Sequence, residues 1–215
     1  MRIDVRGEPF ELLPERGLFW PSQRTLVLAD CHLGKAETFQ QQGLWLPSQS
    51  GQADLMRLSM LAKRWDPRRI LFLGDLIHAR SGVTPDIVAR FADWIDEFGG
   101  AVSVVLGNHD TGLAIRWPPE WHGAQLCDRA EIGSFVFQHL PQKEPVGETM
   151  FYWVGHVHPT ILLAKGPDRM RLPGFVIGKS QGLLPAFSSA SGGCDRPVRA
   201  GERAFVIGEG RVFEV

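Results

Sequence analysis

The apolar run Ile70-Leu71-Phe72-Leu73 stops abruptly at Gly74-Asp75, and no other stretch limits the fold as much. Four successive apolar residues without polar alternation read as a strand covered on both faces, as in a parallel sheet between layers. Gly74 permits a sharp turn there. Asp75 then emerges at the carboxyl end of the sheet, where open α/β folds place their sites. Taken alone, such an aspartate fits a helix cap or a closed turn equally well. The other strand ends decide the matter.

Along the chain, Ile3 to Val5, Phe10 to Leu13 and Leu18 to Trp20 read as short β elements. The strand Thr25 to Ala29 ends at Asp30-Cys31-His32, and a helix is expected to begin near Gly34 to Phe39. The stretch 43–51, with Pro47 and two serines, reads as loop. From Asp54 to Trp65, Leu58, Leu61, Ala62 and Trp65 form one helical apolar stripe. A second helix opens at Thr84-Pro85, a cap followed by proline in the first turn, and closes at Gly99-Gly100. Its inward face is Ile87, Val88, Phe91, Trp94, Ile95 and Phe98. Val102 to Leu106 is the next strand, ending at Gly107-Asn108-His109-Asp110. This strand–helix alternation predicts an α/β fold with right-handed crossovers.

The second half is strand-rich: Ser134 to Gln138, Phe151 to Val154, Phe175 to Ile177, Ala204 to Ile207 and Val212 to Val215. Few helical segments separate them, so this half is expected to be more antiparallel. A sandwich of two mixed β-sheets flanked by helices accommodates both halves. With 215 residues and no linker, repeat or low-complexity tract, residues 1–215 are expected to form one domain.

Composition removes several classes of function. The formal net charge of −1 provides no global field for attracting nucleic acid. Cys31, Cys127 and Cys194 are odd in number and far apart, so they make neither a disulfide framework nor a zinc knuckle. That usage suits a reducing cytoplasm. No apolar run is long enough to span a membrane, and the N-terminus lacks a secretory apolar segment.

Five strand ends carry residues able to bind metal: Asp30 with His32, Asp75, Asn108 with His109, His139, and His156 with His158. Five of the seven histidines fall there, leaving His78 and His122. Each residue has an ordinary structural role open to it: a cap for Asp30, a turn for Asn108, a buried satisfied imidazole for His139. The coincidence of all five strand ends argues for a metal centre. Two carboxylates, one amide oxygen and four imidazoles, without thiolate, suit Mn²⁺, Fe²⁺ or Zn²⁺. Seven ligands exceed one tetrahedral site and suit two ions sharing a bridge. An extended backbone would turn Asp30 and His32 to one side, and likewise His156 and His158.

Asp30-x-His32, Gly74-Asp75, Gly107-Asn108-His109-Asp110 and Gly155-His156-x-His158, in this order, resemble the calcineurin-like metallophosphoesterase superfamily. That resemblance implies a two-sheet sandwich and two divalent ions, with Mn²⁺ the first choice. It implies one ion on Asp30, His32, Asp75 and His158, and the other on Asp75, Asn108, His139 and His156, with Asp75 as the bridge. The run Asp30-Cys31-His32-Leu33-Gly34-Lys35-Ala36-Glu37-Thr38-Phe39, with Gly43, Pro47, Leu184-Pro185-Ala186-Phe187 and Ser191-Gly192-Gly193, is similar to a bacterial subfamily, the ligase-associated DNA-damage-response metallophosphoesterases. Cys31 stands where leucine is usual in that subfamily, and His139-Leu140-Pro141 replaces the superfamily's His-Gly. The subfamily resemblance implies a phosphate-ester substrate such as DNA ends or nicks, and functional association with a DNA ligase and a helicase. A homo-oligomer is compatible with the exposed edges of a sandwich.

Two divalent ions against Asp30 and Asp75 would leave a positive centre suited to a phosphoryl group, with an acidified bridging water aligned for attack. His109, beside Asn108 but not itself assigned to a metal, is the expected general acid, and both residues are expected to contact substrate. Asp110 is expected to orient the His109 ring and favour its charged form. His78 reads either as a neighbour of the centre or as an exposed histidine. Lys35 could touch a phosphate but reads first as a solvated lysine, and Cys31 reads as a small core residue between two ligands. The seven tryptophans read mostly as core, although Trp45 and Trp117 lie near the strand-end loops, where an aromatic can stack on a base. The main reading is a two-metal phosphodiesterase. A phosphomonoesterase or cyclic-nucleotide phosphodiesterase uses the same centre, and a non-catalytic scaffold would have no need of His109.

Overall fold

The computed structural model describes residues 1–44, 49–142, 149–165 and 167–215. Trp45 and Pro47 lie outside the described residues. The first sheet holds seven strands in chain order: β1 (Arg2–Val5), β2 (Glu8–Leu12), β3 (Leu18–Trp20), β4 (Thr25–Leu28), β5 (Arg69–Leu73), β6 (Ala101–Val105) and β7 (Ala124–Cys127). β1 to β4 are antiparallel neighbours, and β4 to β7 are parallel. The parallel part needs crossovers, which helices provide. α1 (Lys35–Gln41) and α2 (Gln49–Trp65) join β4 to β5, α3 (Pro85–Phe98) joins β5 to β6, and the short α4 (Thr111–Ala114) precedes β7. Residues 49–51, expected as loop, are already helical.

The expected caps of α3 are present. Thr84 accepts the N–H of Ile87 on its hydroxyl at 3.3 Å, Pro85 fills the first turn, and Gly99 ends the helix at φ 64°.

The second sheet contains β8 (Ala130–Ile132), β9 (Phe135–Gln138), β10 (Phe151–Val154), β11 (Pro159–Lys165), β12 (Asp168–Ile177), β13 (Gln181–Leu183), β14 (Cys194–Asp195), β15 (Arg203–Gly208) and β16 (Arg211–Glu214). Its order is β14-β11-β12-β13-β10-β9-β8, with β15 pairing β12 and β16. It is mixed rather than simply antiparallel, since β10 is parallel to both β9 and β13.

The two sheets face one another across an aromatic core. Phe10, Trp20, Leu71 and Leu73 from the first sheet meet Phe135, Phe137, Phe151, Trp153 and Phe205 from the second. On the outer face of the first sheet, Ile70 and Phe72 join Leu58 and Leu61 of α2 and Phe91 and Trp94 of α3. The apolar run in β5 therefore buries alternate side chains in two different cores, which is why no polar residue interrupts it. Each such side chain stabilises the fold by about 1.5–3 kcal/mol.

The strand ends are stitched together by backbone hydrogen bonds. Asp30 N–H donates to Gly74 O at 3.1 Å, His32 N–H to Asp75 O at 2.9 Å, and Leu33 N–H to Leu76 O at 2.8 Å. Phe187 and Ser188 N–H reach back to Ala29 O and Asp30 O at 2.7 and 3.2 Å. The loops after β4 and β5 and the chain after β13 thus converge at one edge of the sandwich.

Candidate metal centre

At that edge the backbone is bent in an unusual way. Asp30, His32, Asp75, His156 and His158 all have positive φ, between 47° and 67°. They are half of the ten described non-glycine residues in that conformation. The expected extended geometry is therefore corrected: the paired side chains face one space because each backbone turns left-handed. Such residues carry strain of order 1–3 kcal/mol each, and strain of this kind collects at functional sites.

Two groups of side chains result. In the first, His158 Nε2 lies 3.2 Å from Asp30 Oδ1 and 3.3 Å from His32 Nε2. In the second, His139 Nε2 lies 3.4 Å from Asp75 Oδ1, 3.1 Å from His156 Nδ1 and 2.9 Å from Asn108 Oδ1. The donor atoms of Asp30, His32 and His158, and those of Asp75, His139 and His156, lie within 4.8 Å of one another in each group. All seven candidate ligands of the sequence are brought to this edge, with the Asp75 carboxylate grouped with His139 and His156. A third group, His32, His78 and His109, adjoins the first. His78 thus belongs to the site, and its position three residues after Asp75 was the available signal.

The tautomers are set from outside. A carbonyl only accepts, so His139 Nδ1–H donates to Leu73 O at 2.9 Å and His158 Nδ1–H to Gly192 O at 3.1 Å. With the outer N–H anchored, Nε2 of each ring points inward, the position a metal would take in such histidines. Gly74 makes room for this arrangement. It has φ +76°, and a Cβ there would lie 2.3 Å from His139 Nδ1.

Electrostatics fit a cation. Burial, and then the neighbouring His158, Lys35, His109 and His78, push His32 down to about 2, so its ring is neutral. Burial and His139 also lower His156 against the pull of Asp75 and Asp30. Burial is also the largest single influence on His158 and lowers it, but the hydrogen bond and charge of Asp30, the Gly192 carbonyl and Asp75 together raise it. Inward imidazole nitrogens and two nearly fully buried carboxylates form an oxygen and nitrogen donor set suited to borderline divalent ions.

Two residues differ from their expected roles. Asp110 is fully buried, and its carboxylate accepts the N–H groups of Gly107 (2.9 Å), Ile77 (3.1 Å) and Leu76 (3.3 Å). It ties the loop after β5 to the loop after β6. Burial raises its carboxyl above the usual range, while the hydrogen bonds from Gly107 and Ile77 oppose that. The His109 ring is held instead by the His78 carbonyl, 2.5 Å from Nδ1. Lys35 is half-buried rather than solvated, and donates to Ser191 Oγ at 3.3 Å. Cys31 packs in the helix-side core as expected. Trp117 donates to the Trp121 carbonyl at 3.3 Å and packs edge-on against its ring, which ties it to the core instead of a base.

Residues 23–173 match the family model described as Calcineurin-like phosphoesterase, and the chain belongs to that family of metal-dependent phosphoesterases. A particular likeness goes further. The crystal structure of Pseudomonas putida nuclease MPE shares 34% sequence identity and a TM-score of 0.84, covering 100% of this chain and 99% of that one. The structure of Yfce, a phosphoesterase from E. coli, has 13% identity and a TM-score of 0.45, covering 89% of this chain and 97% of that one. No curated protein sequence matches the chain.

Proposed function

We propose that this protein is a two-metal nuclease that cleaves phosphodiester bonds in DNA. The observation that carries the reading is the whole-length likeness to a nuclease, on a chain that brings Asp30, His32 and His158 together in one group and Asp75, His139 and His156 in another. Asp30, His32, Asp75 and His158 would hold one ion, and Asp75, Asn108, His139 and His156 the other. Bound divalent ions supply charge stabilisation at the phosphoryl oxygens and a nucleophile at neutral pH. Mn²⁺ is the proposed metal, given the absence of thiolate from the donor set.

The chain's own residues have distinct tasks. His109 is one-third exposed, and its Nδ1–H is committed to the His78 carbonyl, so Nε2 is the position open to substrate. As an imidazolium it would donate a proton from Nε2 to the leaving oxygen. Its backbone N–H donates to Asp75 Oδ1 at 2.9 Å, which fixes its distance from the proposed bridging ligand. Asp110 keeps Asp75 and Asn108 in register by joining their loops. The formal net charge of −1 favours strand ends, nicks or single strands over long duplex, whose binding depends on neutralising many phosphates. A cytoplasmic setting is suggested by the cysteine usage, and work beside a DNA ligase and a helicase in repair by the subfamily resemblance.

The test is a substrate panel with Mn²⁺. Bis-p-nitrophenyl phosphate and single-stranded or nicked DNA are expected to be cleaved. p-Nitrophenyl phosphate and a cyclic nucleotide are expected to be poorer substrates. Preference for the monoester would move the assignment to a phosphomonoesterase, and no turnover with any divalent metal would leave a scaffold.

A further inference from the structure

The metal centre leaves three polar residues unexplained on one flank, and they share a loop. The chain from Ala186 to Gly193 runs beside His158 and is clamped at several points. Arg16 donates to Ser188 O at 2.9 Å, Arg57 donates to Phe187 O, Asp54 accepts Ser189 N–H at 2.9 Å, and Lys35 donates to Ser191 Oγ at 3.3 Å. Arg57 is paired with Asp54 at 3.0 Å. Arg16 and Lys35, in contrast, have no carboxylate within ion-pair distance among the described residues, although both are half-buried. A partly desolvated cation is costly unless an anion compensates it. Burial lowers the pKa of both. Arg16 also sits at φ 67°, a strained backbone for a long side chain, at the turn that aims it toward this loop.

Beside this loop lies a cleft of about 90 Å³, walled by Arg16, His158, Thr160, Ser191 and Gly192. Lys35 is not part of its wall and reaches its rim through the Ser191 hydroxyl. The size of the cleft suits one small anion. One wall, His158, is a proposed metal ligand, so an anion here would be the immediate neighbour of a phosphate held by the ions.

We propose that Arg16, Lys35 and Ser191 form a second phosphate subsite, which takes the backbone phosphate adjacent to the one being cleaved. The substrate is then a polynucleotide strand and not a single nucleotide ester. This rests on the reading of the metal centre as a phosphodiesterase, and supplies the substrate class that the ions alone leave open. Ser191 Oγ accepts from Lys35, so its own O–H is free to donate to a phosphate oxygen. Lys35 keeps further N–H groups for the same oxygen, and Arg16 carries donors beyond the nitrogen bound to the loop carbonyls.

The experiment compares TpT, with one backbone phosphate, and TpTpT, with two, in Mn²⁺. For the wild type, kcat/KM on TpTpT is expected to exceed that on TpT at least tenfold, mainly through KM. Lys35→Met and Ser191→Ala should reduce that advantage to below threefold with two metal equivalents retained, and Lys35→Arg should preserve it. If Lys35→Met fails to fold, Ser191→Ala reads the same advantage alone. If neither oligonucleotide is cleaved, their inhibition constants against bis-p-nitrophenyl phosphate give the same ratio. A wild type indifferent to the second phosphate, or an advantage that survives both substitutions, overturns the subsite. Absence of turnover on bis-p-nitrophenyl phosphate overturns the phosphodiesterase reading itself, and the subsite with it.

Discussion

Gly107 lies directly against Asp75: a Cβ on Gly107 would sit 2.2 Å from Asp75 Oδ1 and 2.3 Å from its backbone nitrogen. The ligand proposed to serve both ions is thus positioned by the absence of a side chain on the neighbouring strand end. Gly107→Ala should force Asp75 aside. Overpacking of this kind costs about 1–3 kcal/mol. A displacement near 1 Å at a reacting centre can cost about a hundredfold in rate. The expected outcome is a modest fall in melting temperature and a disproportionate loss of bound metal and turnover. Calorimetry beside metal analysis checks it, and a variant that loses stability but keeps full turnover would contradict the tight coupling.

Asp75→Asn should weaken both metal sites at once if Asp75 is the bridge: its carboxylate stands with His139 and His156, and its backbone carbonyl, which accepts His32 N–H, holds it beside the loop carrying Asp30 and His32. His32→Ala and His139→Ala belong to different groups and should each deplete mainly one equivalent. Metal stoichiometry after dialysis at fixed free Mn²⁺ distinguishes the three. Two equivalents retained by Asp75→Asn, with normal activity, would remove its bridging role.

The sequence exposed the ligands because each follows an apolar strand, and strand ends are where parallel sheets present side chains. The caps of α3 were equally plain, since Thr84-Pro85 and Gly99 act through local backbone chemistry. What lay hidden was long-range. Nothing near Asp110 in the chain shows that its carboxylate bonds to Leu76 and Ile77, 34 and 33 residues away. The Ser191 partner of Lys35 lies 156 residues distant, and a lone lysine after a glycine reads as solvated until that loop is placed. The left-handed backbone at Asp30, His32, His156 and His158 also escaped, because propensity assigns extended geometry to residues that tertiary contacts hold in a strained one.

Asp110 offers a sharp contrast between structural and catalytic roles. Asp110→Ala strands three buried N–H groups, each worth about 1–3 kcal/mol when left unpaired. A loss of at least about 3 kcal/mol in denaturant unfolding is therefore expected. Asp110→Asn keeps one acceptor oxygen and should lose roughly half as much. Loss of activity should track this loss of stability. A variant as stable as the wild type but with a displaced acidic or basic limb in its pH–rate profile would return Asp110 to the role of orienting His109.

His109→Ala tests the proton donor. The ring is tied to the His78 carbonyl and lies 3.9 Å from Asp75 Oδ2, so it sits beside the metal centre without being needed to complete either ligand group. Removing it should leave two metal equivalents and the melting temperature close to those of the wild type. The kinetic cost should depend on the leaving group. General acid catalysis contributes about 10²–10⁴-fold where the departing oxygen is strongly basic. A p-nitrophenolate departs without a proton, so bis-p-nitrophenyl phosphate should lose far less than a nucleoside alkoxide in DNA. The slope of log kcat/KM against leaving-group pKa should accordingly steepen in His109→Ala. Parallel lines for variant and wild type would show that His109 positions substrate and transfers no proton.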